Sequence, residues 1–404
     1  MSVPTLGIQG SMQFARSPIF VAGRNDSVAG DNLYSMLIQV YVYTGTQVQV
    51  TPVDIALEKL YAINKRINFE ISEILRPNFG SDFDIWTITN VQPSPTGEVQ
   101  WTKITGDWTY SDAGATPITA AIGTNYFYAT YGWSDKFNPS NPEYNDIPLT
   151  LPRIRRTHEG GYDALPVQYD SVNGNLQSIV FTYNGALHIY NVASETSIPN
   201  TSPISYNKVL YIPVGYENFN TFAAAKGWPA WTEGSLCLDF YSEVLPPEED
   251  PPFPDLSLRR CIELDCTYKY EPISVAFVNR YGVADYMTFY KVSTEQEEYS
   301  REKYNRSIYN DPWTTIDLQD GKYKDFNVQG RVTWTLNSDW VEENYNDVIE
   351  DILMSENVAL YLNGVWIAAQ PQESSYEKFK EVNQGLINHT LSFKIAFDQR
   401  TLIR

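Results

Sequence analysis

The sequence predicts a mainly β protein of two or three antiparallel, sandwich-like domains, with one amphipathic helix at about residues 340–356. Three observations predict it. The aromatic residues lean on Tyr (29) and Trp (10), which suit a pleated, half-buried surface. Apolar and polar residues alternate over short segments punctuated by Pro, Gly and Asn. Hydrophobic residues make up 43% of a 404-residue chain, a content and length that suit folded domains rather than a disordered scaffold and exceed one small core.

Taken in order, Ser17-Pro-Ile-Phe-Val opens as an edge-like strand after proline, and a Gly/Asn/Asp/Ser loop follows. Leu33 to Tyr43 is the best strand of the first half, alternating and almost wholly apolar or aromatic. Leu60 to Ile71 alternates Tyr61, Ile63, Ile67, Phe69 and Ile71 against polar neighbours and therefore predicts strand over helix. Asp84 to Trp133 predicts short strands separated by Pro and Gly, and the Pro/Asn loop at 138–152 closes an N-terminal sandwich-like domain, 1–150.

A middle β-rich domain, 151–245, carries the basic cluster Arg153-Ile-Arg155-Arg156, a hairpin around Asn184-Gly185 and a strand at Val209 to Val214. Phe222 to Trp231 predicts a loop or short helix. The run Pro246-Pro-Glu-Glu-Asp-Pro-Pro-Phe-Pro254 marks a stiff, acidic linker over 246–257. The C-terminal domain, 258–404, begins with strands at Leu258 to Tyr270 and Pro272 to Val278, then a turn at Arg280-Tyr281-Gly282 into Ala284 to Lys291. Thr294 to Arg306 is charged and predicts a protruding short helix or an ordered arm.

Trp340 to Asn357 places Val341, Tyr345, Val348, Ile349 and Ile352 at one-face helical spacing. Asp339 with Glu342 three residues on fits an N-terminal capping box. Asn363-Gly364 between Val358-Ala-Leu-Tyr-Leu and Val365-Trp-Ile is a tight hairpin signal, since both turn residues need positive φ. Thr390 to Asp398 is a last strand with Leu391, Phe393, Ile395 and Phe397 on one face, which His389 shares as a packed core residue.

The chemistry is sparse. A net charge of −20 disfavours tight nucleic-acid binding over most of the surface. Three cysteines, Cys237, Cys261 and Cys266, make no disulfide framework, and the odd number fits a reducing site of synthesis. Cys261 and Cys266 read as buried thiols, because none of the three histidines stands near them to complete a zinc site. The first residues, Met1-Ser-Val-Pro-Thr, lack the charged leader and apolar core of a signal peptide, and no run approaches the ~20 apolar residues of a membrane span.

No Gly-x-Ser-x-Gly elbow occurs, and Gly160-Gly161 lacks the Lys-Ser/Thr of a phosphate loop. Residues 305–311 lack the ligand spacing of a calcium loop. Paired carboxylates arise by chance among 49 acidic residues. Trp86, Trp101, Trp108 and Trp133 read as core or interface residues before a sugar platform, and the arginine cluster as a solvated or subunit-facing patch before a phosphate site. No catalytic residue, cofactor or metal ligand is expected.

Several phrases together resemble a known family. They are Arg331-Val-Thr-Trp-Thr-Leu-Asn337, Asp339-Trp-Val-Glu-Glu-Asn-Tyr345, the Leu360-Tyr-Leu-Asn-Gly-Val-Trp366 hairpin, and the stretch from Val382-Asn383 to Phe397. Pro272-Ile-Ser-Val-Ala-Phe-Val-Asn-Arg-Tyr-Gly282 and Ile67-Asn-Phe-Glu-Ile-Ser-Glu-Ile-Leu75 add to them. These resemble ring or tail (neck-to-tail) structural proteins of short-tailed, crAss-like bacteriophages of Bacteroidota.

The resemblance implies a virion protein assembled in the host bacterial cytoplasm. It implies a homo-oligomeric ring of six or twelve copies, stacked on other portal, ring or tail proteins around a DNA channel. No sequence-specific nucleic-acid binding, no stable membrane insertion and no catalytic residue follow from it. Candidate subunit contacts are Trp340, Tyr345, Trp366, Arg153, Arg155 and Arg156. The alternatives are a β-sandwich carbohydrate- or receptor-binding module at the tail periphery and a glycan-degrading enzyme using two carboxylates.

Overall fold

The structure, a computed structural model, describes residues 5–8, 12–24, 32–44, 53–64, 66–80, 82–95, 97–111, 116–134, 148–169, 176–192, 209–246, 255, 258–266, 268–306, 309–310, 315–316, 322–378 and 386–397. It is mainly β and divides into two compact units. The first comprises Met1–Cys266 with Phe277–Tyr286, the second Thr267–Ala276 with Met287–Arg404.

Among the described residues, four sheets build the first unit. One has the order β1 (Thr5–Ile8), β3 (Phe20–Arg24), β6 (Arg66–Glu70). A second runs β2 (Met12–Phe14), β9 (Ile118–Thr130), β8 (Val99–Ser111), β4 (Asn32–Thr44), β5 (Val53–Asn64). Along β4 the predicted alternation is realised, with Met36, Ile38, Val40 and Val42 buried and the residues between them half-buried. That dry face joins Val21, Ile67 and Phe69 of the first sheet in one core, the arrangement of two packed layers.

The third sheet has the order β10 (Ile154–Thr157), β16 (Arg260–Leu264), β15 (Ser235–Tyr241), β12 (Ser178–Tyr183), β13 (Ala186–Asn191). The fourth is β11 (Ala164–Gln168), β14 (Val209–Pro213), β7 (Gln92–Pro93). Both contribute to a second core, in which Phe219 and Phe222 of helix α2 (Tyr216–Ala225) join residues such as Phe181, Leu210, Ile212 and Leu238. A single turn of helix, α1 (Ser72–Leu75), follows β6.

Several expectations change here. The strand expected from Ser17 begins at Phe20 and is flanked on both sides, by β1 and β6, so it is not an edge. The strand expected over 60–71 is divided between β5 and β6. Instead of short strands, β8 and β9 run 13 residues each, while Trp86 sits in a 3-10 turn, Phe83–Thr87. Glycine does not end β8, because Gly106 sits at a register shift with φ +152, where a side chain would strike the Leu37 carbonyl. The helix near Phe222 starts at Tyr216, with Gly215 at its N-cap.

The cysteine expectation is overturned. Cys237 and Cys261 form a disulfide, because β15 and β16 set them directly opposite each other although 24 residues separate them in sequence. Cys266 is exposed and unpaired. The inference of a reducing site of synthesis therefore loses its premise.

The second unit is organised on a seven-stranded sheet of order β18 (Ala284–Phe289), β17 (Ile273–Val278), β23 (Val358–Leu362), β24 (Val365–Pro371), β25 (Leu386–Ile395), β22 (Tyr323–Glu342), β19 (Thr294–Asn305). The turn end of β17 and β18 counts with the first unit. A small pair, β20 (Tyr309–Asn310) and β21 (Thr315–Ile316), and helix α3 (Tyr345–Met354) complete it. The sequence sets its last boundary at 246–257, whereas the change of unit follows Cys266, because β16 pairs with β15 and β10. Residues 247–254, 256 and 257 of the expected linker lie outside the described residues.

The Asn-Gly turns form as expected, with φ of 53 and 84 at Asn363 and Gly364 and of 49 and 74 at Asn184 and Gly185. In β25, Leu391, Phe393, Ile395 and His389 are buried, while Phe397 lies beyond the strand and is exposed. The helix keeps its predicted buried face, Tyr345, Val348, Ile349 and Ile352, but not its predicted start. Trp340–Glu342 stay in β22, paired with Asn388, Ile387 and Leu386. Asp339, at φ 66 beside the register shift, accepts a hydrogen bond from the Trp340 amide instead of capping a helix. Asn344 takes the N-cap position without a side-chain cap.

Candidate functional site

Two constellations of polar residues stand out, one exposed and one buried. The exposed one is made by β19 and β22. Their antiparallel register runs from Thr294 opposite Thr335 to Asn305 opposite Tyr323. On the other side of β22, β25 pairs only from Thr333 onward to Glu342. Among the described residues, the stretch of β22 from Tyr323 to Val332 is therefore half of a two-stranded ribbon, roughly 33 Å long at ~3.3 Å per residue.

This segment was expected as a helix or an arm. Its sequence, TEQEEYSREKYN, has neither the apolar stripe of a packed helix nor the alternation of a half-buried strand, so pairing with β22 decides its form. All twelve β19 residues are exposed. Tyr299 lays its ring against Gly330, Tyr304 and Phe326 meet edge to face at 6.0 Å, and Arg301 reaches Asp325 at 3.5 Å. At the base, Lys394 of β25 reaches Glu298 at 3.3 Å. Phe326 is the extra residue of a register shift on β22, which leaves β19 itself regular. The outer edge of β19 pairs with no strand among the described residues. Tyr299, Tyr304, Tyr323 and Phe326 all remain exposed.

The buried constellation surrounds Arg155. Alternation in β10 turns Arg155 inward, while Arg153 is exposed and Arg156 half-buried. The Arg155 guanidinium donates to both oxygens of Asp163 at 3.0 and 3.1 Å, to Thr150 Oγ1, and to Asp285 Oδ1. Thr150 and Asn279 donate to the second Asp285 oxygen at 2.8 and 3.1 Å, and Asn279 also donates to the Leu149 carbonyl. Arg155 is thus spent inside the first unit, and its place among the candidate subunit contacts is withdrawn. Burial, with Asp285 close by, pushes the Asp163 carboxyl up to about 6 against the pull of Arg155.

Close to this network, Glu98 accepts hydrogen bonds from the Tyr211 hydroxyl at 2.8 Å and the Ala284 amide at 2.9 Å. Its burial pushes the carboxyl up to about 8. A carboxyl that holds its proton at neutral pH is a property shared with general acids. Here it ties β8 to β14 and to residues 277–286, a structural task. Packing in the same segment is tight: a side chain on Gly282, at φ +77, would meet the backbone of Tyr131 and Gly132.

The remaining candidates divide by burial. Tyr345 is buried, Trp366 is half-buried beside Tyr361 at 5.1 Å, and Trp340 is 52% exposed. Of these three only Trp340 is exposed. Trp86, Trp101 and Trp108 are buried, and Trp133 is half-buried under the Arg16 guanidinium at 4.6 Å. They form no exposed stacking platform. His389 is buried beside Tyr376, and burial lowers its pKa. His188 stacks on Trp228 at 5.1 Å.

Among the described residues no three His, Cys, Asp or Glu side chains gather as metal ligands, and no helix is long and apolar enough to cross a membrane. Sequence reasoning missed Asp163, Asp285, Thr150, Asn279 and Glu98. Nothing local distinguishes them from other polar residues. No known family model and no curated protein matches the chain.

Proposed function

We propose that the chain is a virion structural protein of a tailed bacteriophage, forming an oligomeric ring in the neck or tail that connects neighbouring rings and encloses the DNA channel. The observation that carries this reading is the β19–β22 ribbon, which exposes all twelve residues of β19 and four aromatic rings. A two-stranded ribbon is marginal in water alone. A neighbouring subunit that covers it supplies the missing burial, and Tyr, with a wet tip and an apolar ring, suits such an interface. Trp340 and Arg153 lie exposed on the other candidate faces. A net charge of −20 keeps a lumen from holding passing DNA, because phosphate binding gains its affinity from Lys and Arg.

Native mass spectrometry of the purified chain, together with electron microscopy of particles that carry it, tests the proposal. A closed ring of six or twelve copies at the neck or tail is the expected result. A chain that is monomeric in solution and missing from purified virions overturns it.

A further inference from the structure

The order of charges along β19 carries a second, independent conclusion. Strand alternation places Glu295, Glu297, Tyr299, Arg301 and Lys303 on one face. The acidic residues precede the tyrosine and the basic residues follow it, at matched spacing. We infer that the free edge of β19 is a homotypic docking strand, pairing antiparallel with β19 of a second copy about a two-fold axis at Tyr299. This does not rest on the phage reading.

Register decides the matter. With Tyr299 opposite itself, paired residue numbers sum to 598. Glu295 then faces Lys303 and Glu297 faces Arg301, and the two-fold repeats both pairs. On the other face Thr294 meets Tyr304, Gln296 meets Glu302 and Glu298 meets Ser300, so no like charges oppose. Every neighbouring register is worse. A sum of 597 sets Glu295 against Glu302, 599 sets Glu297 against Glu302, 600 sets Glu298 against Glu302, and 596 sets Glu298 against itself. Parallel in-register pairing opposes every charge to its like. Opposite charges directly across a sheet stabilise it, and like charges oppose it.

Charges on an edge strand ordinarily keep other strands away. This set repels most registers and accepts one copy of itself in one, which is how an isologous contact is specified. Within the monomer these groups are weakly engaged. Tyr299 donates to Glu297, and Arg301 meets Asp325 at 3.5 Å with its side chain 56% exposed. Exposed pairs of this kind exchange readily.

The test uses the full chain in sedimentation and native mass spectrometry. Arg301→Glu with Lys303→Glu makes the strand wholly acidic at these positions, and Glu295→Lys with Glu297→Lys makes it wholly basic. Each double variant is expected to weaken pairing by about tenfold or more, and mixing the two is expected to restore a mixed pair. In a Cys266→Ser background, Tyr299→Cys is expected to crosslink two copies under mild oxidation and Thr294→Cys is not. All substituted β19 positions are exposed, so unchanged thermal unfolding confirms that each variant folds.

A wild type without two-fold pairing, reversals without effect, or Thr294→Cys crosslinking as well as Tyr299→Cys would each overturn the inference. Rings that persist unchanged in the reversals leave the ring standing and remove this contact. Two-fold pairs without rings do the opposite.

Discussion

Around Arg155 the charged groups are enclosed, and along β19 they are all exposed. Arg155 touches two carboxylates and a hydroxyl, and the hydroxyl in turn donates to one of those carboxylates, Asp285. Glu295, Glu297, Arg301 and Lys303 are exposed, and among the described residues Glu297 takes the Tyr299 hydroxyl and Arg301 meets Asp325. Similar side chains therefore do different work. In the interior a charge is tolerated only when its partners are complete, so each member matters singly. On the ribbon any one charge contributes little, and information resides in the order of the set.

The largest expected effect breaks the interior. Arg155→Met leaves Asp163 and Asp285 buried without their cation and should cost about 3–5 kcal/mol in urea unfolding. A loss below about 1 kcal/mol would mean that the network is no more demanding than a surface pair.

Next comes pH. The folded pKa of Glu98, about 8, lies above its ordinary 4.5, so the folded state holds the extra proton and stability falls as pH rises through that window. Asp163, pushed to about 6 from 3.8, contributes in the same direction at the acid end. His158, His188 and His389, whose pKa values burial lowers from 6.5, work the opposite way up to about pH 7. Between about pH 7 and 8 the slope should therefore belong to Glu98, and Glu98→Gln should flatten it. A wild-type urea midpoint that is level or rising over that range would contradict the assignment.

Tyr211→Phe comes third. It removes the hydroxyl that donates to Glu98 and accepts from the Ala284 amide, for about 1–3 kcal/mol by the same unfolding measurement. The smallest effect sharpens the contrast from the other side. Lys303→Ala, in the monomer, should leave stability within about 0.5 kcal/mol. A larger loss would show that the ribbon's charges hold the subunit itself together.

Local chemistry made part of this legible. Asn363-Gly364 and Asn184-Gly185 need only their own positive φ values, and the β4 alternation needs only a dry face. The buried side of α3 followed from spacing. Its beginning did not, because pairing of Trp340–Glu342 with β25 outweighs the capping tendency of Asp339. The ribbon was legible as an arm and not as a strand, since its partner, β22, lies some residues further along and supplies the order that β19 lacks. The Arg155 network was hidden altogether. Arg155 and Asp285 are 130 residues apart, and an arginine cluster looks solvated until alternation and a distant carboxylate turn one member inward. Cys237 and Cys261 were hidden for the same reason, with register rather than spacing bringing them together.

Residues 277–286 belong to the first unit although they follow the change of unit at Cys266. For a chain emerging from a ribosome, this sets an order of events. The first 266 residues can appear and collapse before Asp285 exists for Arg155, Asn279 for the Leu149 carbonyl, or the Ala284 amide for Glu98. Domains otherwise tend to close from the N-terminus as they are made. Here closure waits on a late segment, so translation that stops at Cys266 yields a unit in which Arg155, the Leu149 carbonyl and Glu98 each lack a partner that the late segment supplies.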